Sequence, residues 1–227
     1  MRLKALLVGD IRFQYQYGFY FIYLFFSIFY IGLVYAFPEA WRKPAAILMI
    51  LSDPAAMGLF FMGAIVLFEK GERTLDSIAV SPVKPIEYVL SKLVSIGIIS
   101  TAVSLAIGLP VGIVRNPAVF IAGVFLCSGL FSSVGLIIAC RAKTLNQFFL
   151  ITVPAEIVIA VPAVIRLFWY DESWLLIHPG AAMIAVCEGG SRALFGLLFL
   201  FLWAVLFTLL AGVVVEKTLK SVGGVKL

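Results

Sequence analysis

The chain has 227 residues, 63% of them hydrophobic and 13% charged, with a formal net charge of +5. Soluble domains carry roughly 25% charged residues, so this composition excludes a soluble globular fold and leaves an integral membrane protein. The basic residues are spread over the loops and form no nucleic-acid-binding patch. The three cysteines, Cys127, Cys140 and Cys187, lack metal-ligand spacing and a disulfide pattern. A membrane-spanning helix takes about 20 apolar residues, and the length accommodates six such spans in one all-α transmembrane domain, with no room for a soluble one.

Residues 1–17 predict an amphipathic helix lying in the membrane interface. Leu3, Leu6, Leu7 and Ile11 form one stripe, and Arg2, Lys4 and Arg12 are basic. A signal peptide would show a small-residue cleavage site after the next apolar run, and none follows. The first span, residues 19–37, is crowded with aromatics. Those near its ends suit interfacial belts. Those nearer the middle, such as Phe26 and Tyr30, face lipid, protein or an aromatic substrate.

A short loop with Glu39, Arg42 and Lys43 leads to the second span, residues 47–68, which Ser52-Asp53-Pro54 interrupts. Asp53 suits a cap on a helix beginning at Pro54, which would make residues 45–51 a separate interfacial piece. The other reading of Asp53 is a polar group on a path through the membrane.

Residues 69–92 then place eight charges in one segment. Leu75, Ile78 and Ala79 fall on one face of a short helix, and Glu69 and Arg73 stand at i, i+4. Pro82 ends that helix. Pro85 suits the first turn of the next, with Glu87 near its positive end. Four acids, Glu69, Glu72, Asp76 and Glu87, balance Lys70, Arg73, Lys84 and Lys92. Balanced charge beside a small apolar stripe fits a groove on a partner protein better than anionic lipid, which selects a basic excess. A solvated loop with one helical turn is the plainer alternative.

The third span is residues 90–114, turned back at Arg115-Asn116-Pro117. The fourth, residues 118–140, is rich in Gly and Ser, which allow close helix packing in lipid. After Arg141 and Lys143, the fifth span, residues 148–167, contains Pro154, Glu156 and Pro162. The prolines predict kinks. A carboxylate as deep as Glu156 marks either a functional site or a structural group inside the bundle. In residues 168–192, Trp169, Tyr170 and Trp174 suit an interface. Residues 177–186 are too short to span, so a re-entrant or interfacial helix started by His178-Pro179 is predicted. His178 has no second ligand type near it and reads as a loop or cap residue. The sixth span is residues 193–215, followed by a tail carrying Lys217, Lys220 and Lys226.

With both termini on one side, that side holds twelve of the basic residues and the other five. The positive-inside rule then puts the termini and the polar segment in the cytoplasm. No GxSxG, HExxH or GxxxxGK[ST] occurs, so the sequence predicts neither an enzyme nor a phosphate loop of its own.

The run from Phe68 to Lys92, FEKGERTLDSIAVSPVKPIEYVLSK, resembles the signature of the type-two ATP-binding-cassette export permeases. The matching positions are Glu69, Glu72, Thr74, Leu75, Asp76, Val80, Ser81, Pro82, Glu87, Tyr88 and Lys92. The N-terminal DIRFQYQYGFY is similar to the fluoroquinolone-type drug export permeases. The resemblance implies a multi-pass permease of the plasma membrane that binds no cofactor itself. It pairs with a second permease subunit, a copy or a relative, and docks a cytoplasmic ATPase subunit that carries ATP and Mg. The implied ATPase-coupling residues are Glu69, Glu72, Arg73, Thr74, Leu75, Asp76, Ile78, Ser81 and Pro82. Glu156, Asp53, Phe26 and Tyr30 are candidates for the substrate path, and residues 168–192 would form the outer re-entrant segment. Two other readings are a membrane scaffold that binds a cytosolic partner without transport, and a proton-coupled carrier using Glu156.

Overall fold

A computed structural model describes residues 2–222, without the side chains of residues 2, 53–57 and 222. Among the described residues every regular element is helical. The order is α1 (Arg2–Gln16), α2 (Phe19–Ala36), α3 (Glu39–Gly71), α4 (Thr74–Ala79), α5 (Pro85–Val111), α6 (Pro117–Arg141), α7 (Leu145–Phe168), a 3-10 turn (Ser173–Ile177), α8 (Pro179–Glu188) and α9 (Ser191–Val222). Five of these, α2, α5, α6, α7 and α9, are long and apolar enough to cross a bilayer. The element boundaries follow from local chemistry. Gly18 and Gly112 take up left-handed backbone at the ends of α1 and α5, a conformation that costs glycine little. Asn116 accepts from the amides of Ala118 and Val119 to cap α6, whose first residue is Pro117.

The second predicted span needs correction. Its helix, α3, begins at Glu39 and runs unbroken for 33 residues, about 50 Å at 1.5 Å per residue. Residues 45–51 are therefore no separate piece, and Asp53 caps no new helix. Inside a membrane bundle the backbone bond lost to a proline is made good by neighbouring groups, so Pro54 does not have to end the helix. The side chain of Asp53 lies outside the described residues, and with it the expected place of Asp53 on a path through the membrane.

The bundle is built around α6, on which α3, α5, α8 and α9 all pack. Close approach comes from small residues. A Cβ on Gly135 would overlap the Leu59 carbonyl of α3, and a Cβ on Gly196 of α9 would stand 2.6 Å from the Ala182 carbonyl of α8. α8 is buried along its length, from Pro179 to Cys187. It starts deep, where Gly180 meets Ile159 of α7 and the Trp203 indole of α9 donates to the Ile177 carbonyl at 2.7 Å. It ends beside Arg115, at the end where α9 begins. The segment thus enters and leaves by one end of the bundle. His178 occupies the position before α8 but its side chain makes no capping hydrogen bond, and among the described residues its buried Nδ1 has no hydrogen-bond partner.

One arginine fixes this end. Arg166, buried at the close of α7, pairs with Glu188 at 2.9 Å and Asp171 at 3.0 Å, and Asp171 also pairs with Arg192 at 2.7 Å. The cluster ties α7, the loop before the 3-10 turn, α8 and α9 together. The outward sides of α2, α7 and α9 carry exposed Phe21, Phe25, Leu150, Val158, Phe201 and Leu209, the apolar surface that hydrocarbon solvates.

Candidate functional site

The polar segment sits at the opposite end of the bundle. α3 stops at Gly71. Arg73, at φ 58°, holds the left-handed turn that redirects the chain into α4. The Glu87 carboxylate accepts the Lys84 amide at 2.9 Å and secures the start of α5. Inside this frame the apolar stripe turns inward. Leu75 is 4% exposed, and it packs with Ile78 and Ala79 in a core cluster that includes Met62, Val66, Ala211 and Val215. Burying one leucine contributes about 2 kcal/mol, enough to seat a six-residue helix that could not stand alone. The face turned away from the bundle consists of Glu72, Arg73, Asp76, Ser77 and Val80, the last 82% exposed. The sequence reading gave the apolar stripe to a partner, whereas the bundle itself occupies it. Thr74 and Ser81 are half-buried and Pro82 is exposed.

Behind the loop lies a buried charge network. Lys92 of α5, 1% exposed, places its ammonium 2.6 Å from Glu69 of α3 and 2.9 Å from Asp10 of α1. The Tyr88 hydroxyl donates to the other Glu69 oxygen at 2.6 Å, and the Ser91 hydroxyl donates to Asp10 at 2.7 Å. Gln14 of α1 donates to Ser95 at 2.8 Å. Tyr88 and Lys92 stand at i, i+4 on one face of α5, and three helices converge on them. The expected Glu69–Arg73 pair does not form. That spacing brings side chains together only within one helix, and α3 has ended before Arg73.

Lys70, next to Glu69, reaches across to α6 and donates to the carbonyls of Ala139, Cys140 and Ala142 at 2.6, 2.8 and 3.1 Å. It thereby satisfies acceptors that the end of α6 leaves orphaned. The Tyr17 hydroxyl, between α1 and α2, donates to Glu72. That acceptor carboxylate holds the Tyr17 phenol above its usual range. Each of Glu69, Lys70 and Glu72 therefore grips a different helix or turn, so the base of the loop is tied to α5, α6 and the α1–α2 turn together.

Asp10 is the participant that sequence reading missed. The available signal was an acid in a basic helix, spaced i, i+4 from Gln14. These two polar residues face α5, while Leu3 and Ile11 of the predicted stripe remain exposed.

The second candidate feature is a cavity of about 420 Å³ between α3, α6 and α7. Glu156, Ala160, Val164 and Phe168 line it from α7 at four-residue intervals. Trp41, Ala45, Leu48, Met49, Leu51 and Ser52 line it from α3, Phe131 from α6, and Phe37 lies at its mouth. Phe26 and Tyr30 are not in its lining. They stack on each other on α2, with ring centres 6.0 Å apart.

A bundle of apolar helices with lipid-solvated flanks, a short buried helix at one end and a tethered polar loop at the other defines a polytopic α-helical membrane protein. The chain belongs to the fluoroquinolones export permease protein family, whose model matches residues 1–225. It is similar to the fluoroquinolones export permease proteins of two strains of Mycobacterium tuberculosis. Each is 27% identical over 200 residues, covering 87% of this chain and 81% of the relative. A permease of this family is a drug-export transport subunit rather than an enzyme.

Proposed function

We propose that this chain is the membrane subunit of an ATP-driven exporter. It pairs with a second permease subunit in the plasma membrane, with both termini cytoplasmic, and moves apolar or amphipathic compounds outward. A separate ATPase subunit supplies ATP and Mg and docks on α4. The observation that carries the reading is the seating of α4. Leu75 holds it on the bundle, its charged edge faces away, and the network at its base connects it to α1, α3 and α5. A push on that edge is delivered to three helices at once rather than lost in a flexible loop. The docking surface is Glu72, Arg73, Asp76, Ser77, Val80 and Pro82, with Leu75 and Ile78 as its anchor and Glu69 as the link to the network. The exposed flanks of α2, α7 and α9 are available to lipid and to the second permease. The compounds named for the Mycobacterium tuberculosis relatives make fluoroquinolones the first substrates to try.

The test separates docking from anchoring. Asp76→Arg with Val80→Asp is expected to reduce co-purification of the cognate ATPase at least tenfold while leaving the permease's thermal midpoint unchanged. Leu75→Ala is expected to lower that midpoint, because a buried leucine cut to alanine costs about 2–5 kcal/mol. Undiminished ATPase recovery with the double variant would overturn the docking assignment.

A further inference from the structure

Among the described residues that line the cavity between α3 and α7, Glu156 is the one acidic group. Glu156 is the twelfth of the 24 residues of α7, which puts it about 17 Å from either end at about 1.5 Å per residue. Among the described residues its carboxylate has no hydrogen bond or ion pair. It is half-buried, at the deep limit of a pocket whose other described lining residues are apolar except for Ser52 and the Trp41 indole. Trp41, Phe37 and Phe168 stand at the shallow end, and Phe131 is among the lining residues from α6. A volume of about 420 Å³ lies in the range of drug-sized ligands, roughly 300–1,000 Å³. A lone carboxylate in such a place is costly unless a cation meets it.

We propose that this cavity binds a protonated amine carried on an apolar, aromatic body, with the amine at Glu156 and the body against Trp41 and Phe168. This deepens the export reading by assigning a substrate class, and it rests on that reading only for the direction of movement. The same chemistry is found in free amphiphilic amines and in the headgroup of an aminophospholipid. The depth of Glu156 favours the free amine, since a headgroup would have to sink to the middle of the hydrocarbon.

Equilibrium binding to the full chain in dodecyl maltoside micelles tests this without ATP or an ATPase, so it succeeds or fails independently of ATP-driven transport. The probes are ciprofloxacin, whose piperazine nitrogen is protonated near neutral pH, and its N-acetyl derivative, which has lost that charge. Wild type is expected to bind ciprofloxacin at least tenfold more tightly. Glu156→Gln should abolish the difference and Glu156→Asp should retain most of it. Trp41→Ala should weaken both compounds by a similar factor.

Phosphatidylethanolamine, with phosphatidylglycerol as the amine-free control, is titrated as a competitor. Displacement by the former alone, lost in Glu156→Gln, would assign the amine to lipid. An unchanged ratio in a Glu156→Gln variant with a wild-type thermal midpoint would overturn the proposal. So would the absence of saturable binding by ciprofloxacin and phosphatidylethanolamine alike.

Discussion

Lys92→Met is expected to be the most damaging single substitution in the chain. It removes one ammonium and leaves two carboxylates, Glu69 and Asp10, facing each other in a buried site. Breaking a buried ion pair from one side costs about 3–5 kcal/mol, and here two partners are orphaned at once. The expected outcome is loss of folded protein in detergent extracts, or a large drop in thermal midpoint where protein is recovered. The triple variant Lys92→Met, Glu69→Gln, Asp10→Asn should recover much of the loss, since neutral amides can share hydrogen bonds with Tyr88 and Ser91. Coupling of this kind is the expected behaviour of residues in one network. If the triple variant is no better than the single one, repulsion between the carboxylates is not the source of the defect.

Gly135→Ala is the second. A single methyl there meets the backbone carbonyl of Leu59 rather than a side chain that can rotate away. α3 and α6 would have to separate along the most extensive helix pair in the bundle. Overpacking a well-filled site costs about 1–3 kcal/mol, and a clash with rigid backbone belongs at the upper end. Gly129→Ala, six residues earlier on the same helix, supplies the control. Among the described residues nothing lies within 4 Å of the added Cβ, and replacing glycine in a helix gains about 1 kcal/mol. Thermal midpoints moving in opposite directions for the two substitutions are the expected result. Equal shifts would mean that the α3–α6 contact is looser than its geometry.

Much of the fold was legible because length and hydropathy dominate in a membrane protein. The predicted spans at residues 19–37, 118–140 and 148–167 lie within a few residues of α2, α6 and α7. The error at Ser52-Asp53-Pro54 came from applying soluble-protein punctuation to a helix whose neighbours can absorb a proline. The polar segment was visible as a site, since charge is conspicuous against an apolar background. Its orientation was not. Periodicity shows that Leu75, Ile78 and Ala79 share a face, but a groove on a partner and a groove on the chain's own bundle select the same stripe. The long-range pairings were the least legible. Lys92 has Glu87 and Asp76 nearby in sequence, yet its partners come from residues 10 and 69, and only the packing of α1 and α3 on α5 shows why.

That pairing bears on how the chain is made. The ribosome releases Asp10 with its partner still 82 residues from synthesis. During that interval Asp10 lacks the ammonium that pairs with it in the folded chain, while α2 and α3 are being made. The pairing of Lys92 with Asp10 and Glu69 becomes available only once α5 has been made. A nascent chain arrested before residue 92 is expected to leave its N-terminal helix protease-accessible, and protection at that length would show that other contacts seat α1.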